Sequence, residues 1–256
     1  MTNPVIIAIT NQKGGVGKTT TAINIAYYLA KKDKKTLLVD LDPQGNATSG
    51  LGFDKSKIDK SVIELLRGES TISEVAKKTK HKNLWLAPTT SHLANTEVEL
   101  AQANNKFVRL KQALQSADQY DVVIVDSPPS LSLLTVNALI AARYVVLPVQ
   151  AEFYAMEGLS QLLETMKLVH KGLNKDLELL GVLVTMLDSR TSLSKQVHDE
   201  IKKHFPDKVF ETTIPRNIRL AEAPSHGLPI GAYERWSKGA RCYKAVTKEI
   251  MQRVGL

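Results

Sequence analysis

An α/β fold, with a mostly parallel twisted sheet covered by helices on both faces, is predicted by three observations in this 256-residue chain. Short apolar runs recur at Val5–Ile9, Thr36–Asp40, Tyr120–Asp126, Tyr144–Val149 and Leu177–Met186, and their continuous character marks strands buried on both sides. Stretches with helical spacing lie between these runs, the alternation that builds βαβ units. The first run passes through a glycine-rich turn, Thr10 to Thr21, directly into a helical pattern, Ala22 to Leu29.

Taken in order, the polar turn Lys31–Lys35 returns the chain to its second strand, which closes a right-handed βαβ unit. Leu41 to Gly50 then leaves the carboxyl end of that strand, where parallel sheets place their ligands, so Asp40 and Asp42 are expected to point toward the glycine turn. Ser61-Val62-Ile63-Glu64 and Thr71-Ile72-Ser73-Glu74 have capping-box spacing and start short helices. Leu84–Pro88 reads as a short strand, and Glu97 to Ala117 as helical with a break around Asn104-Asn105. Tyr120–Asp126 is a buried strand ending in a carboxylate, with Ser127-Pro128-Pro129-Ser130 after it. Helices follow at Leu131–Ala142 and Glu157–Gly172, the latter stopped by its glycine, and Lys208–Pro215 reads as a late strand. One domain spanning residues 1–256 is expected, since no linker, repeat or low-complexity tract interrupts the pattern.

Composition narrows the function. The chain is 43% hydrophobic and no apolar run approaches the ~20 residues that span a bilayer, so no membrane span is expected. Met1-Thr2-Asn3-Pro4 lacks the basic and apolar regions of a secretion signal, which makes the cytoplasm the expected compartment. A net charge of +8 suggests attraction to a polyanion without saying which. The single cysteine, Cys242, excludes an internal disulfide and also a redox protein that needs cluster cysteines in each subunit. His81, His92, His170, His198, His204 and His226 have no metal-ligand spacing.

The chemistry lies in Lys13-Gly14-Gly15-Val16-Gly17-Lys18-Thr19-Thr20. In a strand, glycine loop and helix of this kind, backbone N–H groups approach phosphate oxygens, and glycines 14, 15 and 17 are expected to take dihedrals that a Cβ forbids. The helix adds its positive dipole end. Lys18 is placed to reach the β/γ-phosphates of a nucleotide, and the Thr19 hydroxyl to ligate Mg²⁺. The sheet is therefore expected to be of the P-loop NTPase type. Asp126, ending a buried strand, has Walker B form and is expected to support the metal.

The P-loop pattern departs from the usual one, because Gln12 stands six residues before Lys18 and a second lysine, Lys13, precedes the double glycine. Lys13 to Thr19 resembles the deviant Walker A motif of the ParA/MinD superfamily of ATPases. The resemblance to the short ParA/Soj branch extends through Leu38–Asn46, Asp126–Ser130, Pro148–Glu152, Met186–Thr191 and Ile214–Pro224. It implies an ATP-dependent sandwich homodimer that binds double-stranded DNA without sequence preference. It further implies nucleoid association and chromosome or plasmid segregation with a ParB-type partner.

Carried residue by residue, the resemblance gives Gly14, Gly15, Val16, Gly17, Lys18, Thr19 and Thr20 the phosphates, and Lys13 a contact across the dimer. Asp42 is similar to the aspartate that positions the attacking water, with Asp40 close enough to share the electrostatic work. Pro215 and Asn217 match the region that contacts adenine, while Arg190 and Arg219 match DNA-contacting arginines. Lys195, Lys202, Lys203, Lys238, Arg241 and Lys244 would extend that basic face. A MinD-like membrane ATPase is the alternative. The C-terminal stripe Val246, Ile250, Val254 is narrow and free of aromatic residues, which suits packing on its own domain better than anchoring in lipid.

Overall fold

The computed structural model describes residues 3–152, 155–188 and 190–256, so Met1, Thr2 and Ser189 of the motifs above lie outside the described residues. β1 (Val5–Ile9) leads to α1 (Lys18–Ala30), β2 (Thr36–Asp40), α2 (Asn46–Gly50), α3 (Val62–Arg67) and α4 (Ile72–Val75). β3 (Lys77–Lys78), β4 (Leu84–Ala87), α5 (Leu93–Leu100), α6 (Arg109–Ala113), β5 (Val122–Asp126), α7 (Leu133–Ala141) and β6 (Tyr144–Gln150) follow. The chain continues through α8 (Ala155–Gly172), β7 (Glu178–Thr185), α9 (Ser192–His204), α10 (Ile218–Glu222), α11 (Ile230–Tyr233) and α12 (Lys238–Val254).

The strands form one seven-stranded sheet in the order β3-β4-β2-β5-β1-β6-β7. All neighbours are parallel except β3 with β4. The period-2 alternation sends Ile7, Ile9, Leu38, Ile124 and Val146 into the core beneath α1 and α12. Ala8, Val39, Val123, Val125 and Leu147 enter the opposite core, under α7 and α8. Because both faces are covered, apolar residues occupy both parities of each central strand, which is why the sequence shows unbroken runs.

The two capping boxes are present as expected: Glu64 accepts from Ser61 N–H at 2.7 Å and Glu74 from Thr71 N–H at 2.8 Å. In α12, Val246 and Ile250 are fully buried on the α1 side, and the Tyr243 hydroxyl lies 3.1 Å from Thr21 Oγ1. The apolar stripe is thus spent on the protein's own core. Among the described residues, no helix is long and apolar enough to cross a membrane.

Three elements differ from expectation. Lys208–Pro215 is not a strand: it forms two isolated bridges, Val182 with Val209 and Leu187 with Pro215, and a further bond from Ile214 N–H to Val184 O at 2.9 Å. The cause is α12, whose Glu249 carboxylate accepts the N–H groups of Glu211 and Thr212 at 2.9 and 3.0 Å, while Arg253 donates to the carbonyls of Leu180 and Val209 at 2.9 Å. Gly181 makes that closeness possible, because a Cβ there would stand 2.6 Å from Lys208 O. The helical stretch expected over 97–117 does break around Asn104-Asn105, but the break is wider, residues 101–108 separating α5 from α6. Asn137 of α7 holds that gap, donating to Lys106 O at 2.7 Å and accepting from Leu110 N–H at 3.2 Å. β3 was not foreseen, since a Lys-Lys pair carries no strand signal.

Candidate active site

Parallel register assembles the site. Ile9 and Asp40 both pair with Asp126 across β1, β5 and β2, so the glycine loop, the β2 exit and the Walker B carboxylate share one end of the sheet. Within the loop only Gly15 (φ 75°) and Gly17 (φ 87°) are left-handed, so the expectation of such a dihedral at Gly14 is corrected. Asn11 braces the turn from below, donating to Pro148 O at 2.7 Å and accepting from Lys13 N–H at 3.0 Å. The Thr185 hydroxyl holds it from the side through Val16 O at 2.8 Å.

Gly17 caps α1 with no side-chain partner for the helix, so the N–H groups of the first turn, at Lys18, Thr19 and Thr20, lack intrahelical acceptors. That is an anion cradle. Lys18, 6% exposed, curls over the loop and donates to Lys13 O at 2.9 Å. Burial pushes its pKa down, against the opposing pull of Asp126 and Asp42.

Asp42 and Asp126 act on this lysine and Asp40 interacts with both of them; the three environments differ. Asp40 is fully buried and saturated: it accepts from Thr48 N–H and Thr48 Oγ1, both at 2.7 Å, and from Asp42 N–H at 3.3 Å. It ties the β2 exit to α2. Asp42 accepts from Gln44 N–H at 2.9 Å, and burial raises its pKa against Lys18 and Lys55. Asp126 is fully buried, and neither of its oxygens accepts a hydrogen bond of ordinary geometry, although the Thr19 hydroxyl lies close by. Burial first, and the Asp40 charge second, push its pKa well above the usual carboxylate range.

A buried carboxylate without partners costs several kcal/mol, about what a bound cation recovers. The donor set therefore fits magnesium, a hard cation held by few protein oxygens plus water and phosphate. Among the described residues no group of three or more His, Cys, Asp or Glu is placed to hold a metal ion.

Beside the cradle a cavity of about 370 Å³ opens between Gly17 and Thr20 on one side and Met186, Ile214, Pro215 and Ile218 on the other. Its lining is largely apolar, and Asn217 Oδ1 is buried without a partner. An apolar slot with one free acceptor suits a planar ring bearing an amino group. A larger groove, about 780 Å³, lies beside Lys55, Arg67 and His92.

Lys13 stands at the rim rather than over the cradle of its own chain. Its Nζ pairs with Glu152 Oε2 at 2.7 Å, and both side chains are half-exposed. Gln150 Nε2 donates to the other Glu152 oxygen. Arg190 forks onto Asp188 at 2.9 and 2.7 Å at the turn after β7, and Arg219 reaches Glu222 at 2.8 Å within α10. The Leu187–Pro215 bridge brings the Arg190 turn beside the Arg216–Arg219 segment. Lys202 and Lys203 of the suggested extension pair with Glu211 and Glu200. Asn11, Thr48, Glu152 and Thr185 were not singled out from the sequence. Of these only Glu152 carries a sequence signal, its place in the Pro148–Glu152 motif.

A family model described as AAA domain matches residues 5–179. Over 246 residues the chain is 55% identical to sporulation initiation inhibitor protein Soj of Bacillus subtilis (strain 168), covering 96% of this chain and 97% of that protein. It is 50% identical over 249 residues to chromosome partitioning protein ParA of Myxococcus xanthus (strain DK1622), covering 97% and 88%. Among solved structures, cobyrinic acid a,c-diamide synthase of Mycobacterium smegmatis, with bound ADP and magnesium, is 37% identical with a TM-score of 0.87, covering 98% of this chain and 96% of that one. The cell division ATPase MinD of Pyrococcus furiosus, 23% identical with a TM-score of 0.81 over 97% and 98% of the two chains, shares the fold.

Proposed function

The chain belongs to the Soj/ParA family of chromosome-partitioning ATPases, and from that premise we propose that it works as a nucleotide-switched dimer on DNA. It is an ATPase that uses ATP and magnesium, and residues 1–256 act as one ATPase domain. The observation that carries the reading is Asp126: a fully buried, unpartnered carboxylate beside Thr19 and Lys18, at the mouth of a loop with free N–H groups.

Gly14 to Thr20 hold the phosphates, with Lys18 swinging from Lys13 O to the transferred group. Thr19 and Asp126 hold magnesium, which supplies charge neutralisation on the phosphates. Asp42 orients the attacking water; phosphoryl transfer needs that positioning and electrostatic support rather than a covalent nucleophile. Asp40, already saturated by Thr48, keeps the Asp42 loop in place. Pro215 and Asn217 receive the adenine, Asn217 Oδ1 accepting from its amino group.

Lys13 acts in the partner's site. Its ion pair with Glu152 is half-exposed, worth about 0–1 kcal/mol, so a phosphate across an interface displaces it readily. Two such exchanges make ATP the bridge of a homodimer. A ParB-type protein then stimulates hydrolysis, and the cycle is confined to the nucleoid.

The DNA face consists of Arg190 and Arg219 with their neighbours. Both arginine side chains are exposed and their carboxylate partners are local, so DNA phosphates can compete for the guanidinium groups. The double change Arg190→Ala with Arg219→Ala is expected to weaken binding to every duplex sequence similarly. It should also flatten the salt dependence, whose logarithmic slope is about −0.9 per phosphate neutralised. ATP-driven dimerisation should be unchanged. An affinity unaffected at two salt concentrations would remove this surface, and binding to anionic liposomes in place of DNA would favour a MinD-like activity.

A further inference from the structure

We propose that the cleft between the far end of α1 and α12 is a second ligand site, one that takes a nucleotide by its base and its phosphate together. The cleft encloses about 530 Å³, room for a ligand of that size. Its floor is aromatic: the Tyr27 and Tyr28 rings meet edge to face with centroids 5.2 Å apart. The floor is also tightly built, because a Cβ on Gly231 would lie 2.6 Å from the Tyr28 hydroxyl and from Tyr27 Cε1. Trp236 forms a wall, and it is 73% exposed, an unusual place for an indole. The Arg235 guanidinium lies over that ring, 4.7 Å from its centroid.

The rim is cationic. Lys31 and Lys32 directly follow α1, and Lys244 and Lys248, one turn apart, come from α12. No carboxylate lines the cleft, and among the described residues none of these four lysines makes an ion pair or side-chain hydrogen bond. Elsewhere lysines such as Lys60 and Lys77 have acidic partners within 3 Å. Clustered unpaired ammonium groups raise the local concentration of anions. The exposed Trp236 ring beside them offers stacking, which every base accepts.

The combination selects against the obvious competitors. Duplex DNA offers phosphate but keeps its bases stacked inside, so it leaves Trp236 and the tyrosine floor unused. A lipid surface needs a broad apolar face, whereas α12 turns Val246 and Ile250 inward. A nucleotide uses both halves. Its source is either a free mononucleotide or the unpaired end of a strand.

The site is independent of the ATP reading, being separated from Lys18 by the length of α1, about 20 Å. In the full-length protein, given one equivalent of ADP with excess magnesium so that the tighter phosphate loop is filled and the cleft is left free, tryptophan fluorescence is followed during titration with AMP, GMP, a single-stranded trinucleotide, tripolyphosphate, a blunt duplex and anionic vesicles. Saturable quenching by a nucleotide is expected. Lys31→Ala with Lys248→Ala should weaken it about tenfold or more, as the loss of charge-assisted contacts requires. Trp236→Ala, followed by equilibrium dialysis, should weaken it comparably. ATP-driven dimerisation should be preserved in each variant. A trinucleotide at least tenfold tighter than the mononucleotides identifies a strand end as the source, and equal affinities identify the free nucleotide. Tripolyphosphate binding as tightly as GMP, quenching by duplex or vesicles alone, or no saturable response would overturn the proposal.

Discussion

Asp42→Ala is expected to lower the rate of ATP hydrolysis about a hundredfold or more while leaving ATP affinity within a few-fold of the parent. A positioned carboxylate that handles a water proton contributes about 10²–10⁴ in rate. Asp42 is the carboxylate suited to that work. It is 5% exposed at the exit of β2, and a backbone N–H from Gln44 fixes it at 2.9 Å. Asp40 is tied up by Thr48, and Asp126 lies deeper in the sheet beside Thr19. Because binding survives and turnover does not, the variant should accumulate as an ATP-bound dimer. Asp42→Asn should behave the same way, since the amide keeps the shape but loses the charge. Phosphate release at the parental rate would show that another group orients the water.

Lys18→Ala should fail earlier, at binding. Among the described residues it is the one buried lysine, and it acts on Asp126 and Asp42 at the mouth of the phosphate loop. Truncating one partner of a buried, hydrogen-bonded charge pair costs about 2–5 kcal/mol, so ATP affinity is expected to fall about thirtyfold or more. Equilibrium binding of a fluorescent ATP analogue reads this directly. The contrast with Lys13 is the informative part, because two lysines five positions apart then fail at different steps. Affinity within a few-fold of the parent would mean that backbone N–H groups alone carry the phosphates.

Much of this site is legible in the chain because its chemistry is local. The glycine turn, Lys18 and Thr19 lie within one short stretch, and Asp126 announces itself as a carboxylate closing an apolar strand. Burial of both sheet faces makes the central strands readable as unbroken runs. The braces are different. Asn11 finds Pro148 across 137 positions, and Thr185 finds Val16 across 169, and no local pattern marks either pair. Lys208–Pro215 has the composition of a strand, yet Glu249 and Arg253 of α12 claim its backbone partners. The cleft beside Trp236 is equally invisible, since its floor and its wall come from opposite ends of the chain. Dimerisation and DNA binding rest on family resemblance, and no spacing in the sequence implies either.

The central claim is that ATP joins two copies through Lys13. Sedimentation of the full chain with ATP and magnesium, with ADP, and without nucleotide, for the parent and for Lys13→Ala, tests it most directly. The expected result is a dimer for the parent with ATP only, and a monomer in every condition for Lys13→Ala, which should still bind ATP. A parent that stays monomeric with ATP, or a Lys13→Ala variant that dimerises as the parent does, would contradict the account.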